Sequence, residues 1–194
     1  MTKEDLIRKK EIILSRELTF ANEIGAALFE KPRVSYWMIF IPFLFLYFIF
    51  RMQKFKKDRI KFSEDFMSAR REAMETAFCS SAPGGPAETD VANPYANLPE
   101  PLQEPYAVWI KTLSSLYINL LAADGDDFES LVRRAYGKKS SFLAAMEKLN
   151  NAENKFYTAL KPLMEKVEGT AAIIARIESE SRRLRTEAAA RIFH

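Results

Sequence analysis

Apolar and polar positions follow a helical period over most of this chain and a strand period nowhere, and one stretch interrupts them by being apolar throughout. At the start, Thr2-Lys3-Glu4-Asp5 has the form of a capping box, a hydroxyl followed three residues later by a carboxylate, and predicts a helix beginning there. Ile7, Leu14, Leu18, Ala21 and Leu28 fall on a heptad-like seam, with Glu11 and Gly25 at the intervening positions, until Lys31-Pro32 breaks it. Residues 1–33 therefore read as an amphipathic helix that has to pack on a partner, on the downstream domain or on a membrane surface.

The uniformly apolar stretch runs from Val34 to Phe50 without a charge and predicts a membrane anchor. As a helix it covers roughly 25 Å, the lower limit for a hydrocarbon core of about 30 Å. Tyr36, Trp37 and Tyr47 supply interfacial aromatics, while Arg33 and Arg51 can snorkel to the headgroups. Pro42, near the middle, removes a backbone donor and leaves two topologies: a bent spanning helix, or a shallow hairpin that keeps both ends on one side. The hairpin turn would expose backbone polar groups to lipid, so the sequence favours spanning. Within about 18 residues of each end, the basic residues are Arg16, Lys31 and Arg33 before the run against Arg51, Lys54, Lys56, Lys57, Arg59 and Lys61 after it. That asymmetry predicts a single-pass protein with its C-terminal portion cytoplasmic.

Beyond the anchor, helical periodicity continues through Phe55, Phe62, Phe66, Ala69, Ala73 and Ala77, which predicts a stalk helix over 51–79. Its first turns alternate basic and apolar residues, so Arg51, Lys54, Lys56, Lys57, Arg59 and Lys61 are expected at lipid headgroups. Residues 80–105 hold six of the nine prolines and read as a Pro/Gly-rich linker. From 106 to 194 four helices follow, the first with an apolar face of Trp109, Ile110, Leu113, Leu116, Tyr117, Leu120 and Leu121. Asp126 is expected to cap a short second helix that Gly137 ends. A long third helix carries Phe142, Met146, Leu149, Ala152, Phe156, Leu160, Leu163 and Val167 in coiled-coil steps of three and four, with Pro162 late in it. After Gly169-Thr170 the last helix has the seam Ile174, Ile177, Ser181, Leu184, Ala188 and Ile192. The fold class is all-α, ending in an antiparallel four-helix bundle.

Composition changes this picture little. The net charge is +3, and the acidic neighbours of Arg182, Arg183 and Arg185 argue against a nucleic-acid stripe. The single cysteine, Cys79, permits no intrachain disulfide, and the single histidine, His194, is the last residue, which disfavours histidine catalysis. Asp124-Gly125-Asp126-Asp127 fails as a calcium loop, because its fifth and sixth positions are Phe128 and Glu129. No phosphate loop, nucleophile elbow, CxxC or zinc-helix motif occurs, so neither a cofactor, a metal nor a small-molecule substrate is expected, and the chain does not read as an enzyme.

The expected function is that of a membrane-anchored helical scaffold or interaction protein. Its partners would be the lipid bilayer and either another protein or a second copy, met through Phe142, Met146, Leu149, Phe156 and Leu160. An accessory subunit of a membrane enzyme or transporter, and a monotopic membrane-shaping protein bent at Pro42, are the alternatives.

Overall fold

The computed structural model describes residues 2–28, 62–64, 66–82, 95, 98–163 and 170–194, and these are all-helical. The apolar run with Tyr36, Trp37, Pro42 and Tyr47, and the basic residues from Arg51 to Lys61, lie outside the described residues. Among the described residues, no helix is long and apolar enough to cross a membrane.

Helix α1 spans Lys3–Leu28 and starts on the expected cap, with the Asp5 amide donating to Thr2 Oγ1 at 3.2 Å. Its buried face overlaps only in part with the one its apolar spacing suggests, sharing Ala21 and Gly25 with it. Leu6, Lys9, Ile13, Phe20, Ala21, Ile24 and Gly25 are buried, whereas Ile7 and Leu18 stay 41% and 43% exposed. The chosen face includes a lysine and, at its edge, Glu17. Lys9 reaches the core because its stem lies along apolar surface while Nζ meets Asp5 at 2.9 Å and the Leu121 carbonyl at 3.4 Å.

The helical residues 62–64 and 66–81, here α2, do not stand away from the rest as a stalk. Ala69, Ala73, Met74 and Ala77 belong to one core with Leu6 and Ile13 of α1, Trp109 to Leu121 of α3, and residues of the last three helices. The small side chains at 69, 73 and 77 let a neighbour come close. Ser114 uses that approach by donating its hydroxyl to the Ala73 carbonyl at 3.0 Å.

Helix α3 covers Glu100–Ala122, starting six residues before the expected position 106. Pro101 near its N-terminus suits a helix start, because its missing N–H is one that no intrahelical carbonyl would accept. The predicted face, Trp109 through Leu121, is the buried one. Helix α4, Phe128–Tyr136, is capped one residue later than expected, by Asp127, whose carboxylate accepts from the Ser130 amide at 2.7 Å while Ser130 Oγ faces the Asp127 amide. Gly137 closes it at φ 70°, a backbone that L side chains rarely adopt.

Helix α5, Lys139–Leu163, and α6, Thr170–Ile192, complete the set. The predicted α6 seam is buried throughout. On α5 the seam departs from expectation halfway, since Glu153 and Tyr157 are buried and Leu163 is 47% exposed. The region expected as a free-standing four-helix bundle thus shares its core with both earlier helices.

Because Ile13 is fully buried in this shared core, Ile13→Ala should lower stability by about 2–5 kcal/mol. Urea unfolding followed by Trp109 emission in a Trp37→Phe background would show it. An independent N-terminal arm would leave that transition unmoved.

Candidate functional site

The dominant internal feature is a chain of four charges at the middle of the bundle. Arg70 of α2 is fully enclosed, and its Nε donates to Glu17 of α1 at 2.7 Å. Its Nη2 reaches Glu153 of α5 at 3.3 Å, and its Nη1 reaches the Phe66 carbonyl at 3.3 Å. From the other side, Arg185 of α6 holds Glu153 in a two-pronged pair at 2.7 and 2.9 Å and also donates to Asn150. The guanidinium of Arg70 lies 3.6 Å from the Phe66 ring centre, and Phe20 stands between the two arginines at 5.8 and 5.3 Å.

Two cations and two anions balance here. Burial pushes the Glu153 carboxyl up, but the charge and hydrogen bonds of Arg185, with Arg70 behind them, outweigh it and hold the group below the usual carboxylate range. Burial likewise works against the Arg70 cation, and Glu17 and Glu153 more than restore it. Nearby, the Tyr117 hydroxyl is driven well above its ordinary value by burial and by the Glu17 charge, so it stays a neutral phenol.

A cavity of about 60 Å³ adjoins the cluster, with Glu17, Tyr117 and Arg185 on its polar side and Leu113, Phe142 and Leu184 among its apolar walls. The buried Tyr117 hydroxyl makes no hydrogen bond to a described residue. Space of this size takes a water or two rather than a substrate. Among the described residues no group of three or more His, Cys, Asp or Glu could hold a metal ion.

The residues that the sequence offered as a partner interface are placed inside. Phe142, Met146 and Leu149 are buried against α3, α4 and α6, and Phe156 and Leu160 are half-buried against the same packing. Their coiled-coil spacing serves this chain's own helices at Phe142, Met146 and Leu149, while Phe156 and Leu160 keep part of their surface exposed. Phe156 stacks on Trp109 with ring centres 5.2 Å apart.

The other suspected clusters resolve into local pairing. Asp126 accepts from Arg8 at 2.9 Å, Arg183 bridges Glu180 and Glu187, and Arg182 meets Glu147 at 3.5 Å. Arg133 donates to the Ile192 carbonyl at the end of α6. The acid-rich turn and the arginine-rich helix are thereby joined to their neighbours.

One surface feature escaped the sequence reading. An open groove of about 700 Å³ lies between α3 and α5, lined by Val108, Lys111, Ser115 and Asn119 on one side and Ala144 and Lys148 on the other. Its charged lining residues are both lysines. Periodicity could have found it, because 108, 111, 115 and 119 share a helix face, but that face is too mixed to register as a stripe.

Comparison of the chain with protein-family models, curated proteins and solved structures found no match. Its functional reading comes from its own geometry.

Arg70→Ala would leave Glu17 and Glu153 without their shared cation, and a loss of about 3–5 kcal/mol in urea unfolding is expected. Acid should act on the same group. Since folding depresses the Glu153 pKa, its contribution is complete above the ordinary value of 4.5 and disappears as pH falls through the lower folded value. The wild-type urea midpoint should therefore drop as pH falls below about 4.5, and more steeply than that of Glu153→Gln.

Proposed function

We propose that this protein is a membrane-anchored helical scaffold that acts by binding, with its bundle held at the lipid surface by the apolar run Val34–Phe50. The observation that carries the reading is the placement of the run's flanks: α1 before it and α2 after it are both built into the core. Anything that inserts the run in lipid therefore brings the whole bundle to the membrane. The interfacial aromatics Tyr36, Trp37 and Tyr47 and the basic series from Arg51 to Lys61 support a bilayer as first partner, with the bundle on the cytoplasmic side.

The α3/α5 groove is the surface that suits a second partner. Its small side chains allow a helix to approach closely, Val108 offers apolar contact at 40% exposure, and Lys111 and Lys148 favour acidic residues. The occupant that fits is an acidic amphipathic helix of another protein.

Replacing residues 34–50 with a Gly/Ser stretch of equal length should move the protein from the carbonate-resistant membrane fraction to the soluble one without changing Trp109 emission. Retention in the membrane would sink the anchor. For the groove, a photo-crosslinker at Ser115 should give an adduct whose linked peptide is acidic and helical, and Lys111→Glu with Lys148→Glu should abolish it. A dimer of this chain linked at Ser115 would assign the groove to self-association instead.

A further inference from the structure

The two flanks of the apolar run lie side by side. A Cβ added at Gly25, near the end of α1, would come within 3.3 Å of the Phe62 ring at the start of α2. Asn22 Oδ1 accepts from the Ser63 hydroxyl at 3.0 Å, and Phe20 faces Phe66 with ring centres 6.1 Å apart. Farther along the same pair of helices come Arg70 with Glu17 and Lys10 with Glu75. The pairing is antiparallel, so the chain leaves α1 and re-enters α2 at one end of the bundle.

Resting on the membrane reading above, we infer that the apolar run does not cross the bilayer: it enters and leaves through the same face, and this end of the bundle sits against the lipid. A single crossing would put residue 50 on the far side while Phe62 is held beside Gly25. Residues 51–61 would then have to return through the hydrocarbon. Fully extended they reach roughly 36–40 Å, enough to cross a core of about 30 Å only as bare strand with unsatisfied backbone groups. They also carry Arg51, Lys54, Lys56, Lys57, Asp58, Arg59 and Lys61. Each such charge is strongly unfavourable at mid-bilayer. The other way to cross would be to part α1 from α2, which strips Arg70 of Glu17 and opens the core. Entry and exit on one side keep the charges of residues 51–61 out of the hydrocarbon and leave α1 on α2, at the cost of only the few backbone groups at the reversal.

The end of the bundle near these flanks is built to meet an apolar surface. Leu28, Phe62, Phe66 and Leu160 cover a satellite core of Phe20, Ile24, Tyr157, Ile174 and Ile177. Next to it, Leu163 at the end of α5 and Ile173 at the start of α6 are 47% and 52% exposed. Lipid is the occupant that the location selects, because the neighbouring chain on both sides leads into the apolar run.

The test uses the full chain with Cys79→Ser, in sealed membranes. Asn22→Cys with Ser63→Cys should form an intramolecular disulfide on mild oxidation, and the core pair Ala73→Cys with Ser114→Cys serves as a folding control. In separate variants, Glu4→Cys and Asn151→Cys, both exposed, should react equally with an impermeant maleimide. Opposite accessibility of 4 and 151, or a control disulfide without the 22–63 one, would overturn the same-face topology and leave membrane attachment standing. Extraction of the protein by carbonate would instead overturn the anchor, and the topology with it.

Discussion

Arg70 has no exposed surface, and its guanidinium joins Glu17 on α1 to Glu153 on α5 while resting on the Phe66 ring; Arg185 closes the chain from α6. Replacing such a cluster by well-fitted apolar residues is often neutral or stabilising, so its presence does not explain why the protein is stable. What it supplies is register. A shift of one residue on any of the four helices would swing its charge out of reach and leave another uncompensated in the core. Helices distant in sequence have to bring a charge to the same point. Phe20, set between the two arginines, gives the cations an aromatic face and connects the cluster to the apolar core at the end of the bundle.

That constraint extends to the membrane. Glu17 and Arg70 stand on opposite sides of the apolar run in sequence, and their pairing fixes α1 and α2 together in space. The small side chains at Ala69, Ala73 and Ala77 let α3 approach α2 closely enough for Ser114 to donate to the Ala73 carbonyl. Any insertion of the run in lipid would be subject to the fold's geometry as well as to its own hydropathy.

The polar features of the fold divide between its interior and its surface. The polar interior is satisfied mainly by charge pairing and encloses a cavity fit for water, whereas the open groove lies outside, between α3 and α5, with lysines along it. The end of the bundle that carries Leu163 and Ile173 and the groove are formed by different parts of the fold, so one could be occupied without obstructing the other.

By itself the sequence determined the helical class, the cap at Thr2, the stop at Gly137, and the buried faces of α3 and α6, because these depend on local dihedral preference and on stripes of unmixed apolar residues. It also marked the apolar run, whose hydropathy needs no tertiary context. Where a core face contains charge, the pattern misled. Lys9 and Glu17 on α1 and Glu153 on α5 look like solvent positions, so the stripe through Ile7 and Leu18 was preferred to the one that is buried. The α5 seam was legible as apolar, but a one-dimensional pattern does not say whose surface will cover it, and the chain's own helices cover Phe142, Met146 and Leu149. Only the tertiary structure decided that α1 and α2 are neighbours. Their pairing joins residues more than 40 positions apart through a few specific contacts, and side-chain periodicity carries no information about which distant helix supplies the matching charge.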